Sequence, residues 1–156
     1  RRDPSLAVAD ARRAYLLRGK KESWIDNRFT GKDNRHQFTD KIRDYMLNAN
    51  YAQLTNAVYE GVLGGDAQTL RQRLGIKRQE NLRDALSEVA LAYVSIAELV
   101  CSHKLAGIGE FEPVPADIAL DIITTISHQI GVQAADMAYM LGIDIVTGQP
   151  LLGGAK

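Results

Sequence analysis

The sequence has very little cysteine, no net charge and no long apolar run, and each absence excludes a class of protein. A single cysteine, Cys101, rules out an intramolecular disulfide and a zinc site built only from cysteines. No early apolar stretch resembles a signal peptide, and no uninterrupted apolar run reaches the roughly 18 residues that span a bilayer. We therefore expect a cytoplasmic protein with no membrane partner.

Charged groups are balanced in number but not in position. The chain holds 19 basic and 19 acidic side chains, so it lacks the overall basic character of most nucleic-acid modules. Residues 1–50 contain 12 basic against 7 acidic side chains, whereas residues 101–156 contain 2 against 6. This gradient fits a first part that meets a polyanion, an attraction between opposite ends of two copies, or surface charge sorted by chance.

Length and composition fit one globular domain. At 17.2 kDa, with 46% hydrophobic and 24% charged residues, the chain is far from the compositions typical of disorder. We treat residues 1–156 as a single helical domain. Because the chain starts at Arg1 without a methionine, and Asp3 and Pro4 resemble a helix start, it is a candidate fragment of a longer protein.

Hydrophobic spacing predicts an all-α fold of six or seven helices packed around one central apolar helix. From Leu82 to Val100 apolar residues alternate steps of four and three, and a second apolar row repeats every seven residues. Two rows indicate contacts on two sides, so we predict a central helix over residues 82–104 with Tyr93 and Ile96 buried. The few polar positions of this helix fall near one line: Ser87, Ser95, Glu98 and Ser102.

The remaining helices are shorter in the prediction. They lie near residues 4–18, 38–46, 54–63, 67–74, 119–130 and 134–141. Thr55 or Asn56 is expected to cap the third helix, and Asp66 the fourth. Residues 20–34 are rich in Gly, Asn, Asp and Lys, so we expect an ordered loop or short hairpin there.

Neither a catalytic group nor a metal site is predicted. Four polar residues share one face of a predicted helix: Asp117, Asp121, Thr124 and His128. However, Asp117 and His128 are about 16 Å apart along that helix, too far to share an ion. Cys101 lies in the most apolar helix, where a thiol is usually inert, and Gly64-Gly65 lacks the strand and lysine of a phosphate loop. We therefore expect a non-enzymatic protein without metal or cofactor.

Two basic clusters are candidates for contacts with nucleic acid. The first surrounds a possible helix-turn-helix at residues 66–90, with Gly75 in the turn and Asn81 before the second helix. Its basic residues are Arg71, Arg73, Lys77, Arg78 and Arg83. The second cluster lies around the expected loop, interleaved with Trp24 and Phe29. Its basic residues are Lys20, Lys21, Arg28, Lys32 and Arg35. A solvated turn, and a loop anchored to the core by the two aromatics, are the simpler interpretations.

The stretch from Arg35 to Glu98 resembles a helical segment of phage and prophage regulatory proteins. The matching residues are Phe38-Thr39-Asp40, Thr55-Asn56-Ala57-Val58-Tyr59-Glu60-Gly61-Val62-Leu63-Gly64-Gly65, Ala67, Leu70-Arg71, Leu74-Gly75-Ile76, Asn81-Leu82-Arg83-Asp84, Leu91-Ala92 and Ala97-Glu98. These proteins are antirepressor-like and damage-inducible regulators that often carry a KilA-N or BRO-N DNA-binding domain ahead of this segment. The resemblance implies an accessory module for oligomerisation or protein binding, with base readout in the other domain.

The motif residues also have physical interpretations, which make them mainly structural. Thr55 and Asn56 suit a helix start, and Gly61 permits close approach of another helix. Tyr59 can pack while its hydroxyl reaches a polar group. Where the central helix begins, Asp84 suits the positive helix end and Arg83 can bind a carbonyl or carboxylate.

These observations lead to one leading function and one alternative. We expect a helical module of a phage-type regulator that mediates self-assembly or binding to another protein, with a homodimer as the expected state. The alternative is direct DNA binding through the helix-turn-helix at residues 66–90, and a small helical enzyme ranks third.

Overall fold

The computed structural model describes residues 3–46 and 48–151, which form seven α-helices and no β-strand. The helices are α1 (Pro4–Leu17), α2 (Glu22–Tyr45), α3 (Tyr51–Leu63), α4 (Ala67–Leu74), α5 (Leu82–Ala85), α6 (Glu88–Ile108) and α7 (Ala116–Leu141). One hydrophobic cluster extends from Tyr15 in α1 to Val146 beyond α7. The predicted all-α fold around a central apolar helix is confirmed.

The central helix is α6, and it begins later than residue 82. Asn81 caps the single turn of α5 by accepting from the backbone N–H of Arg83. The chain is then extended at Leu86, and Ser87 caps α6 by accepting from the N–H of Ala90. Two consecutive polar caps therefore divide the predicted helix at a point that its continuous apolar spacing does not reveal.

The face of α6 that points inward differs from the prediction. Glu98 is fully buried and Ser95 and Ser102 nearly so, whereas Ile96 is 45% exposed and Tyr93 is half-buried. The prediction that Ile96 is buried is therefore wrong. The polar line of α6 turns inward because Glu98 binds arginines from neighbouring segments.

Helix α2 replaces the predicted loop at residues 20–34, so that prediction is also wrong. The buried face of α2 includes Trp24, Ile25, Arg28, Gly31, Phe38 and Ile42. An arginine and a glycine thus occupy core-facing positions where a helical pattern usually has apolar residues. Helix α2 packs along α6 and brings the basic residues of its first half toward that helix.

Helices α3 and α7 cross in close contact at two glycines. A Cβ atom on Gly131 would overlap the carbonyl oxygen of Gly61, so the close approach expected at Gly61 is confirmed. Gly131 lies inside one continuous helix. The predicted separate helices near 119–130 and 134–141 are therefore a single helix, α7.

By length and composition α6 is the one described helix that could cross a membrane. Its most apolar 18-residue window has a mean hydropathy of 1.4, and half of that window is buried within the fold. The core helix of a globular domain has these same properties, and Glu98 in α6 is ion-paired.

Candidate anion-binding site

Residues from both basic clusters of the sequence converge on one cavity of about 580 Å³. Helix α2 contributes basic residues from the second cluster, and the segment from α4 to α5 contributes residues from the first. The six basic side chains that line the cavity are Arg28, Lys32, Arg35, Arg71, Arg78 and Arg83. The only carboxylate among the described lining residues is Glu80.

A buried ion pair forms one wall of this cavity. The guanidinium of Arg83 donates to both carboxylate oxygens of Glu98, with Nη1–Oε1 and Nη2–Oε2 distances of 2.6 and 3.0 Å. Its Nε donates to the hydroxyl of Tyr59 at 2.9 Å. Burial by itself lowers the pKa of Arg83, but the charge and hydrogen bonds of Glu98 outweigh it and raise the pKa above its ordinary value. Arg83 is therefore permanently charged and fixed in place.

Glu98 binds a second arginine, which ties α2 to the same wall. Nη1 of Arg35 lies 3.0 Å from Oε2 of Glu98. Because a fully buried carboxylate is strongly unfavourable without partners, the two arginines stabilise Glu98 inside the core. The pair Arg35 and Arg83 thus connects α2, α5 and α6 around one carboxylate.

A second carboxylate, that of Asp84, fixes Arg28 in another part of the cavity wall. Asp84 accepts from Nε of Arg28 at 2.9 Å and from the hydroxyl of Tyr15 at 3.0 Å. Arg28 is itself nearly buried, so this ion pair fixes its orientation. Three of the six lining cations are therefore neutralised in part by Glu98 and Asp84.

The other three lining cations form no ion pair within residues 3–46 and 48–151. They are Lys32, Arg71 and Arg78. Burial, followed by the positive charge of Arg28, lowers the pKa of Lys32, while Asp84 opposes the shift. Counting Glu80, Glu98 and Asp84 against the six cations leaves an excess of three positive charges. Such an excess favours an anionic ligand.

Two polar atoms of lining residues are buried and have no hydrogen-bond partner among the residues that the structure describes. They are Oγ1 of Thr55 in α3 and Nε of Arg71 in α4. The guanidinium of Arg71 makes a long hydrogen bond, from Nη2 to the carbonyl oxygen of Glu80 at 3.5 Å. The fold thus leaves hydrogen-bonding capacity unused next to the unpaired cations.

The structure does not bring the remaining predicted basic residues to this cavity. Nζ of Lys20 lies 4.4 Å from the ring centroid of Trp24, and Lys20 and Lys21 line a different cavity beside the start of α6. Arg73 binds Asp144 at 2.6 Å, and Lys77 is exposed and absent from the lining. Only some of the residues in each predicted basic cluster therefore line the candidate site.

The predicted helix-turn-helix is only half present in the structure. Helix α4 ends at Gly75, which has the left-handed conformation expected of a turn glycine. The helix after Asn81, however, is the single turn of α5, and its arginine is buried against Glu98. A recognition helix needs an exposed face that enters the major groove, and α5 has none.

The aromatic residues of the second basic cluster serve the core. Trp24 is buried and its Nε1 donates to the carbonyl oxygen of Leu86 at 3.0 Å, while Phe29 is partly buried against the core. The anchoring role expected for these two residues is confirmed, although they lie on a helix.

The residues of the regulator-like motif are divided between the cavity and the core. Tyr59 reaches a polar group, Arg83, and Arg83 binds a carboxylate, that of Glu98, as expected. Asp84, expected at the positive end of the central helix, lies instead in the one-turn helix α5 and holds Arg28. Asn56 accepts from the N–H of Ala67 and so joins α3 to α4. The expected helix cap at Thr55 or Asn56 is wrong, because Asn50 caps α3.

Sequence reasoning did not identify Glu98, Thr55 or His36 as residues around this cavity. Thr55 and His36 line it, and Glu98 lies behind its wall. The one available signal was a glutamate in an otherwise apolar helix, because a buried carboxylate requires basic partners.

Cys101 and the polar face of α7 differ in their surroundings, because the thiol is buried and the polar face is exposed to solvent. Cys101 is fully buried, and burial, with the nearby charge of Glu98, raises the pKa of its thiol to about 12. Asp117, Asp121, Thr124 and His128 are all solvent-exposed. No group of three or more His, Cys, Asp or Glu residues within the described ranges is placed to hold a metal ion.

Comparison of the chain with known protein families and with curated proteins finds no match.

Proposed function

We propose that this chain is a non-enzymatic binding module whose basic cavity contacts nucleic-acid phosphates. The observation that supports this proposal is the convergence of six lysine and arginine side chains from distant parts of the sequence on one surface. Phosphate contacts by such side chains supply most of the affinity in non-specific nucleic-acid binding. In this proposal the contact differs from a helix-turn-helix, since the cavity wall rather than a recognition helix approaches the ligand.

The anchored arginines and the unpaired cations have different tasks in this proposal. Arg28 and Arg83 are held by carboxylates, so they shape the surface and contribute little net charge. Lys32, Arg71 and Arg78 are available to phosphates without breaking an ion pair. Contacts with these three side chains therefore require no ion pair among the described residues to break.

Binding to fluorescent single-stranded and duplex DNA, measured by anisotropy over a range of salt concentrations, tests the proposal. We expect affinity to fall steeply with salt, and Lys32→Gln and Arg78→Gln each to reduce the salt slope by about one. Lys77→Gln is the matched control, because Lys77 is adjacent to Arg78 in sequence but does not line the cavity. Equal losses in Lys77→Gln and Arg78→Gln, or no binding at all, would contradict this function.

Self-assembly is a second proposed function, and the outward face of α6 favours it. Val89, Tyr93, Ile96 and Val100 follow one another at steps of four, three and four, with Ile96 45% and Val100 42% exposed. This spacing is that of a helix-packing seam, and we propose that a second copy of the chain covers it. An antiparallel arrangement would place Glu88 of one copy near Lys104 of the other.

Light scattering across a hundredfold dilution tests the dimer. We expect a mass near twice 17.2 kDa, and Ile96→Asp to shift the population to monomer by placing a charge in the apolar seam. Gln129→Asp is the control, since Gln129 is exposed on α7. A wild-type mass that stays near 17.2 kDa at every concentration excludes self-assembly.

The biological setting that we propose, a phage-type regulatory protein, rests on the resemblance of residues 35–98 alone. Both proposed functions suit an accessory module of such a protein. Sequencing the complete gene tests this setting, because a KilA-N or BRO-N domain ahead of residue 1 is expected.

A further inference from the structure

We infer that the basic cavity recognises a phosphate monoester, the group found at the end of a nucleic-acid strand and on a free nucleotide. The inference concerns the same site as the proposed nucleic-acid contact and rests on that function for its biological meaning. Lys32, Arg71 and Arg78 supply the positive charge, and Thr55 supplies a hydroxyl. Arg83 and Arg28 form the fixed wall behind them.

The size of the site fits the end of a strand or a nucleotide better than the side of a double helix. A volume of about 580 Å³ lies within the ~300–1,000 Å³ range of small-molecule sites. The phosphodiesters of a duplex lie along a convex outer surface. Such a surface contacts the rim of a cavity and does not reach its interior. A terminal phosphate projects from its strand and can reach the side chains of α2, α3 and α4 that line the cavity.

The charge of the cavity also suits a monoester. A phosphate monoester carries about −1.5 to −2 charges near pH 7, whereas a phosphodiester carries one. The three unpaired cations come from α2, α4 and the segment before α5, so they approach the ligand from different directions. Neutralising an excess of three positive charges therefore favours the more highly charged group.

The hydrogen-bonding groups of the cavity also favour a phosphate monoester over a phosphodiester. A monoester has three terminal oxygens that accept hydrogen bonds, and an arginine can donate to two of them at once. Nε of Arg71 and Oγ1 of Thr55 are buried and have no hydrogen-bond partner among the described residues, and both residues line the cavity. Because the 3.5 Å contact from Arg71 to Glu80 is weak, its loss on ligand binding costs little.

The decisive experiment compares short oligothymidylates that differ only at their ends. Affinity is measured by anisotropy competition for strands with a 5′-phosphate, a 3′-phosphate or hydroxyls at both ends. We expect a terminal phosphate to tighten binding by about tenfold, the effect of one strong additional charge-assisted contact. Thymidine monophosphate and inorganic phosphate, titrated by calorimetry, show whether the group is also bound free of a strand.

Variants assign the preference to the cavity. Thr55→Val and Arg71→Gln are expected to reduce the advantage of the phosphorylated strand to less than threefold, whereas Thr55→Ser retains it by keeping the hydroxyl. Lys77→Gln should leave the preference unchanged. If Thr55→Val or Arg71→Gln melts well below the wild type, Arg78→Gln provides the same test at an exposed position.

The possible results separate this inference from the proposed function. Equal affinity for phosphorylated and unphosphorylated strands overturns the monoester site while nucleic-acid binding stands. Binding of thymidine monophosphate or inorganic phosphate without any strand binding supports the monoester site and overturns the nucleic-acid function. No binding of any of these ligands overturns both.

Discussion

Arg83 binds both carboxylate oxygens of Glu98 across the junction between the one-turn helix α5 and the central helix α6. The pair lies behind the cavity and determines which side of α6 faces the core. Since Arg35 of α2 binds the same carboxylate, Glu98 links the fold to the candidate site. The main effect of a substitution at Glu98 is therefore expected on the stability of the fold, and any effect on ligand binding follows from that.

Replacing Glu98 by leucine should destabilise the protein by about 3–5 kcal/mol, because Arg83 would remain buried without its carboxylate. Urea unfolding followed by circular dichroism measures the loss. Replacing Glu60, an exposed glutamate in α3, by leucine is the control and should change stability by less than about 1 kcal/mol. A loss at Glu98 no larger than the control would show that the ion pair is not needed.

The contact between Gly131 and Gly61 predicts a second large effect. Gly131→Ala places a methyl group against the carbonyl oxygen of Gly61, so α7 and α3 must separate. We expect a loss of about 1–3 kcal/mol or more. Gly107→Ala, in α6 with no atom close to the new methyl, should instead be neutral or stabilising by up to about 1 kcal/mol. Similar melting temperatures for the two variants would contradict the close crossing.

Local signals account for the parts of the fold that the sequence predicts well. Asp3 and Asp66 each accept a backbone N–H at the start of a helix, and Gly64 and Gly75 end helices in the left-handed conformation. These features depend on neighbours within about four residues, so their spacing is visible in the sequence.

The errors come from contacts between residues far apart in the chain. The rotation of α6 depends on Glu98, whose arginine partners lie 15 and 63 residues away. Helix α2 has Arg28 on its buried face because Asp84 neutralises it there. Both basic clusters are visible in the sequence. Their convergence on one cavity depends on how α2 packs against α6, and the local spacing of residues does not encode that packing.

The orientation of α6 predicts that Ile96 contributes little to stability, whereas apolar spacing alone predicts a large contribution. Ile96→Ala should cost less than about 1 kcal/mol because Ile96 is 45% exposed, whereas Leu105→Ala should cost about 2–5 kcal/mol at a fully buried position. Urea unfolding at a concentration where the protein is monomeric gives both values. A larger loss at Ile96 than at Leu105 would place the outward face of α6 in the core.

The thiol of Cys101 makes stability depend on pH in the alkaline range. Its pKa is raised to about 12 by burial and by the charge of Glu98, whereas an unperturbed thiol has a value of 9.0. Above pH 9 the unfolded chain therefore loses this proton while the folded chain keeps it. The stabilising contribution is present in full below pH 9 and is lost as pH rises toward 12.

Comparison of wild type with Cys101→Ala isolates this titration from those of the lysines and tyrosines. Between about pH 8 and about pH 10 the wild type should lose roughly 1 kcal/mol more unfolding free energy than the variant. In the native state the thiol should also react with a disulfide reagent far more slowly than in urea, because it is buried and protonated. Rapid labelling of the folded protein, or an equal pH dependence of the two proteins, would show that Cys101 is accessible.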